Sequence, residues 1–162
     1  MFRHAEKSVN ATHTIDEDGW FLCEGKWEEL PFFARGRRPF TLPVGSSRFP
    51  HSFRVVWTYD SEDESLLPSP DTLEELSQFE DQLIETLEQS GDAVFAATVT
   101  CEGTREWLFY SENMHESGKA FNEVFAHQAR KPIEITACED PEWESYQGIL
   151  AEFAGEPESD SL

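Results

Sequence analysis

The run from Asp92 to Ser111 reads DAVFAATVT, a CEGT break, then REWLFYS. Two apolar-rich stretches around a short break that contains Gly103 predict a β-hairpin. Strand side chains alternate between the faces of a sheet, and here neither face is polar: Trp107 and Phe109 oppose Leu108 and Tyr110. Ser52 to Tyr59 (SFRVVWTY) predicts a similar strand, with Val55 and Trp57 against Val56. Such strands belong in the middle of a sheet that is covered on both faces. The second cover is expected from the chain itself, because apolar area is usually buried internally. It would be either the Phe-rich stretch holding Phe32, Phe33, Phe40 and Phe49 or a helix near the C-terminus. A partner subunit is the alternative.

Helical patterns flank the hairpin. Across Asp71 to Gln89, Leu73, Leu76, Phe79, Leu83, Ile84 and Leu87 recur at helical spacing, with Glu80 outward and the other acids facing elsewhere. Six such side chains at ~1.5–3 kcal/mol each make this stripe a core contribution on the order of 10 kcal/mol. Asp71, following Pro70, is the expected N-cap, with Glu74 as in a capping box and Gly91 past the end. A second helix is expected over about Asn113 to Arg130, with Ala120, Phe121, Val124 and Phe125 inward and Pro132 as its stop. Pro132 to Cys138 alternates Ile133, Ile135 and Ala137 against Glu134 and Thr136, a half-buried strand. Asp140 as N-cap and Pro141 at the first position then begin a short helix carrying Tyr146, Ile149, Leu150 and Phe153.

Upstream, Asp18 to Glu24 and Leu30 to Arg35 flank Gly25-Lys26 and predict a loose strand pair, with Pro31 confining the second strand to an edge or a late start. From Ser52 onward the order is strand, helix, strand, strand, helix, strand. The expectation is an α+β, ferredoxin-like βαββαβ sandwich with an added N-terminal strand pair and a C-terminal helix. Its Thr104–Ser111 strand would lie centrally beside Ser52–Tyr59, with both helices of the repeat on one face. Residues 1–16 are expected to be a disordered N-terminus, 17–153 a single α+β domain and 154–162 a disordered acidic tail.

At 162 residues the chain is long enough to bury one core. Its net charge of −21 speaks against DNA and against anionic membranes, which would repel it, and in favour of basic partners or a salty interior. No apolar run approaches the ~20 residues that span a bilayer. Residues 1–18 lack the apolar centre of a secretory signal, so the expected setting is cytoplasmic. Cys23, Cys101 and Cys138 are scattered, show no CxxC spacing and are expected to be reduced.

No nucleophile elbow, phosphate loop, HExxH or dinucleotide fingerprint is present. No catalytic residue, metal ligand or cofactor is therefore assigned. His115 and His127, twelve residues apart, are not expected to share a helix face. Charge is distributed less evenly. Arg35, Arg37, Arg38, Arg48 and Arg54 fall between Leu30 and Tyr59 without an acid, and thirteen acids fall between Asp60 and Thr104 without a Lys or Arg. The arginine strip, interleaved with Phe and Pro, could hold RNA or a nucleotide by charge and stacking. The favoured expectation is that these arginines lie against the acids of the same chain, which are closer to hand than any ligand. Arg105, Trp107 and Tyr110 form a second group, either a polar and aromatic patch able to serve an enzyme or, as favoured, a paired arginine beside two core rings.

Three stretches carry a resemblance: the Trp20 strand leading to Gly25-Lys26, Thr104-Arg105-Glu106-Trp107-Leu108-Phe109-Tyr110, and Asp140-Pro141-Glu142-Trp143 with Tyr146. Together these resemble the uncharacterised bacterial domain-of-unknown-function family numbered six-nine-five, over roughly Trp20 to Phe153. More distantly the chain is similar to the ribonuclease E inhibitor B proteins, which are small, acidic and ferredoxin-like. The resemblance implies a non-enzymatic cytoplasmic protein that acts by binding another protein. The leading expectation is an acidic binding or regulatory module for a basic protein partner. The binding candidates are Arg35, Arg37, Arg38, Arg105, Trp107 and Tyr110. Nothing in the residues sets an oligomeric state.

Overall fold

The computed structural model describes residues 12–15, 19–38, 48–61, 63–89 and 91–153. Phe40, the rest of the 1–16 segment and the 154–162 tail lie outside the described residues. The elements run β1 (Thr12–Ile15), β2 (Trp20–Trp27), β3 (Leu30–Arg37), β4 (His51–Thr58), α1 (Pro70–Gln89), β5 (Ala93–Cys101), β6 (Thr104–Ser111), α2 (Met114–Phe125), β7 (Ile133–Glu139) and α3 (Glu144–Phe153). This is a mixed α+β chain. The strands form one antiparallel sheet in the order β1-β2-β3-β5-β6-β4-β7.

The predicted hairpin is β5–β6. Its turn is tighter than the CEGT break, since Cys101 already pairs with Thr104 and only Glu102 and Gly103 lie between. Both have positive φ, 52° and 86°, the geometry whose twist matches that of paired strands. A bulge between Phe95 and Ala97 shifts the register and changes which face the strand's residues serve. Phe95 and Ala93 point to one face, Ala96, Ala97 and Val99 to the other.

Both faces are covered by the chain itself. On one, Leu76, Phe79, Leu83 and Leu87 of α1 and Phe121 of α2 pack on Phe53, Val55, Trp57, Phe95, Trp107 and Phe109. The Phe79 ring stands 5.0 Å from Trp57, 5.2 Å from Trp107 and 5.1 Å from Phe125. On the other face, α3 brings Tyr146, Ile149 and Phe153 onto Phe21, Phe32, Ala97, Leu108 and Tyr110, with Trp143 and Phe49 beside them. The C-terminal helix is thus the main second cover. The covers are staggered: α3 lies across β2, β3 and β5, while α1 and α2 sit over β4, β5 and β6.

Several local expectations are corrected. Thr12–Ile15, inside the segment expected to be disordered, forms edge strand β1 on β2; its Thr-His-Thr-Ile alternation suits a strand, and the outer edge of β2 offers unpaired backbone groups. β2 runs through Gly25-Lys26, and the turn falls at Glu28-Glu29, with φ 49° and 76°. β3 is interior rather than an edge. Pro31 is tolerated because pairing with β5 begins only at Phe32, so the missing N–H faces no partner strand. Leu73 is 42% exposed and Ile84 only half-buried, which leaves four fully buried α1 side chains instead of six. Ser69 caps α1, its Oγ accepting from Thr72 N at 3.3 Å, so Pro70 takes the first helical position. α2 ends at Phe125, five residues early. β7 is an exposed edge strand, with Ile135 40% exposed, because α2 stops short of it. α3 begins at Glu144, after Trp143 adopts φ 58°.

Candidate functional site

The sheet face beside α1 gathers charge around one carboxylate. Glu80 follows Leu76 by four residues and precedes Leu83 by three, so helical geometry turns it toward the sheet, not outward. Its Oε1 accepts from the Trp107 indole N–H at 2.8 Å and stands 3.7 Å from Arg105 Nη1, while its Oε2 stands 3.7 Å from Arg35 Nη1. The Arg105 side chain is 5% exposed and that of Glu80 16%. Arg105 Nε donates to Thr100 Oγ1 at 2.7 Å. Burial works against the guanidinium charge and pulls its pKa below the usual arginine range, with Glu80 opposing that pull. The signal that could have located Glu80 was a carboxylate standing inside an apolar helical stripe.

Next to this cluster a cavity of about 560 Å³ opens between the β2–β3 hairpin and the start of α1. Pro31, Phe33, Leu67, Pro68 and the exposed Leu73 make apolar walls, and Arg105 and Thr100 line its sheet side. Glu24 and Lys26 contribute opposite charges at the mouth. The wall formed by the β4–α1 loop is pinned. Leu66 O accepts from Tyr59 OH at 2.8 Å and from Gly103 N at 3.0 Å, and Leu67 O accepts from Ser61 Oγ at 3.1 Å. Burial pushes the Tyr59 hydroxyl up to about 12, so it remains a donor.

The named candidates do not converge. Arg105 and Trp107 face α1, whereas Tyr110 faces α3, as alternation along β6 requires. Trp107 and Tyr110 are fully buried. Arg37 donates from Nε to Phe95 O at 2.7 Å, pairs with Glu88 at 3.2 Å and, with Arg35, stacks on Trp20. Arg38 donates its backbone N–H to Gly19 O at 3.2 Å. Arg48 pairs with Glu112, and Arg54 with Glu106 on the α3 side, where it also reaches Ser145. The five arginines are therefore spread over both faces rather than set in one strip, most of them against acids of the same chain.

The aromatic and DPEW motifs close a lock on the α3 side. Tyr110 OH donates to Asp140 Oδ2 at 2.6 Å and accepts from Tyr146 N at 3.2 Å. Asp140 also receives Glu144 N at 2.7 Å and Ser145 N at 3.1 Å, which caps α3. Trp143 stacks on Tyr110 with ring centres 4.2 Å apart, and its indole N–H donates to Phe49 O. Burial, then the Asp140 hydrogen bond and charge, raise the Tyr110 pKa far above the usual phenol range. His115 on α2 and His127 just past its end both line a shallow groove with Lys119 and Asn122; because the helix ends before His127, the twelve-residue spacing does not separate them as expected. Among the described residues no group of three His, Cys, Asp or Glu side chains is placed to hold a metal ion. No helix of the described chain is long and apolar enough to cross a membrane.

A family model described as a family of unknown function (DUF695) matches residues 19–151, from the residue before β2 to within α3. No curated protein and no solved structure matches the chain.

Proposed function

The chain belongs to the DUF695 family of unknown function, and from that premise we propose that it is a non-enzymatic binding or regulatory module whose acidic α1 face docks a basic protein partner. One observation carries this reading. Asp71, Glu74, Glu75, Asp81 and Glu85 are exposed along α1, the helix contains no Lys or Arg, and among the described residues none of the five has an ion-pair partner. Asp71 and Glu75, like Asp81 and Glu85, are four residues apart, where like charges each cost roughly 0.2–0.5 kcal/mol. Arg35, Arg37 and Arg105 are held by the inward acids Glu80 and Glu88, so the outward set pairs with none of them. Exposed Asp60, Asp63 and Glu64 in the preceding loop extend the same surface.

The setting in this reading is bacterial and cytoplasmic. We take β4-α1-β5-β6-α2-β7, with its strand order β5-β6-β4-β7, as a ferredoxin-like core extended by β1–β3 along one edge and by α3 on the reverse face. The more distant resemblance to the ribonuclease E inhibitor B proteins belongs to the same reading.

The test is a backbone amide NMR titration with a lysine-rich peptide at low salt. Shifts should concentrate on the outward positions of α1 and the preceding loop, fade as salt rises and vanish when Glu74, Glu75, Asp81 and Glu85 are changed together to Gln or Asn. Equal shifts at acids elsewhere, such as Glu116, Glu123 and Glu134, would show a merely acidic molecule and defeat the proposal.

A further inference from the structure

Two guanidinium groups, Arg35 and Arg105, share the single carboxylate of Glu80, and each contact is 3.7 Å, too long for a hydrogen bond. One Glu80 oxygen is already taken by the Trp107 N–H. Arg35 is one-third exposed, so water serves it, but Arg105 is 4% exposed and water serves it poorly. Of its donors only Nε has a hydrogen-bond acceptor among the described residues, Thr100 Oγ1. A buried cation whose one counter-charge is shared and beyond hydrogen-bond distance is only partly compensated and keeps donors to offer, and this one lines the cavity beside α1.

We propose that this cavity is a binding site for a small monocarboxylate with an apolar body, its carboxylate received by the Arg105 guanidinium. The volume, about 560 Å³, falls in the range of small-molecule sites, which are mainly apolar with a few placed polar groups. Pro31, Phe33, Leu67, Pro68 and Leu73 supply walls for an aromatic or branched aliphatic body. A planar carboxylate matches the guanidinium fork. A single charge suits the site better than a phosphate dianion, since Glu24 and Glu80 stand close and the chain carries a net charge of −21. The wall exists before any ligand arrives, because Tyr59 and Gly103 both hold Leu66 O, so little binding energy is lost to ordering. This proposal does not rest on the acidic face of α1.

The experiment titrates the full chain with 3-phenylpropionate and with its uncharged amide at physiological salt, followed by calorimetry and by NMR shifts of Phe33, Leu73 and the Arg105 Nε–H. The acid should saturate and shift all three, and the amide should bind roughly ten- to a hundredfold more weakly, as expected for loss of a charge-assisted hydrogen bond. Arg105→Lys keeps the charge but not the fork and should weaken the acid about tenfold or more. Because a change at Arg105 also touches the Glu80 cluster, Leu73→Glu is the second variant: it alters an exposed rim residue, leaves the fold intact and should abolish binding. No saturable binding of the acid, equal binding of acid and amide, or unchanged binding by Leu73→Glu would each overturn the proposal.

Discussion

Glu80 is the residue on which the α1 face turns, with one carboxylate serving an indole N–H and two arginines. Removing one partner of a buried ion pair leaves charge uncompensated and typically costs 3–5 kcal/mol. Arg35 is partly solvated, so Glu80→Ala should cost about 3 kcal/mol in chemical denaturation. Glu80→Gln retains an acceptor for Trp107 and should cost less. Equal losses for the two would show that the acceptor for Trp107 contributes nothing and that the charge alone carries the effect, whereas a negligible loss for Glu80→Gln would show that the charge is irrelevant. Glu152 on α3 is the opposite case. Its Oε2 is buried without a hydrogen-bond partner among the described residues, and burial pushes its pKa from 4.5 up to about 7. A carboxyl whose folded pKa is raised favours the fold while protonated, so that stability is fully present below pH 4.5 and is lost as pH rises through about 7. Glu152→Gln should flatten this slope between those limits in thermal melts followed across pH, and an unchanged slope would exclude Glu152 as its source.

At the scale of elements, ends were harder to read than middles. The hydrophobic period located α1, but its cap is Ser69, because Pro70 fills the first helical position and leaves the hydroxyl before it to meet Thr72 N. Ser69→Ala should therefore cost about 1 kcal/mol, and Asp71→Ala distinctly less, in paired denaturation curves; the reverse order would restore Asp71 as the cap. The β2–β3 turn shows why local chemistry misleads. Gly25 offered the usual turn residue, yet the chain turns at Glu28-Glu29 with both residues in the left-handed region, an unfavourable conformation for non-glycine residues. Pairing of Gly25 with Phe32 and of Lys26 with Pro31 sets that register, and it keeps Phe21, Cys23, Phe32 and Ala34 on the α3 face. Slipping the turn by one residue would move that set to the wrong side. Burial of a face outweighs a favourable turn.

For the molecule as a whole, the residues alone determined a good deal: a two-sided hairpin in a sheet that must be covered twice, helices of identifiable period, an acidic excess concentrated after Asp60, and motifs sufficient to mark the family. These follow from local periodicity and composition, which every residue carries with it. Tertiary structure decided that α3 is the second cover, that the DPEW stretch locks onto Tyr110 through Asp140, and that Arg105 and Tyr110, five residues apart on β6, serve opposite faces. It also turned Glu80 inward and opened a cavity at Arg105 by staggering the covers. Such features depend on which distant segments meet: Glu80 and Trp107 are twenty-seven positions apart, and Phe49 and Trp143 ninety-four. No local pattern encodes those meetings. They are fixed only when the apolar faces find one another, and the buried polar groups must then take whatever partners that packing brings within reach.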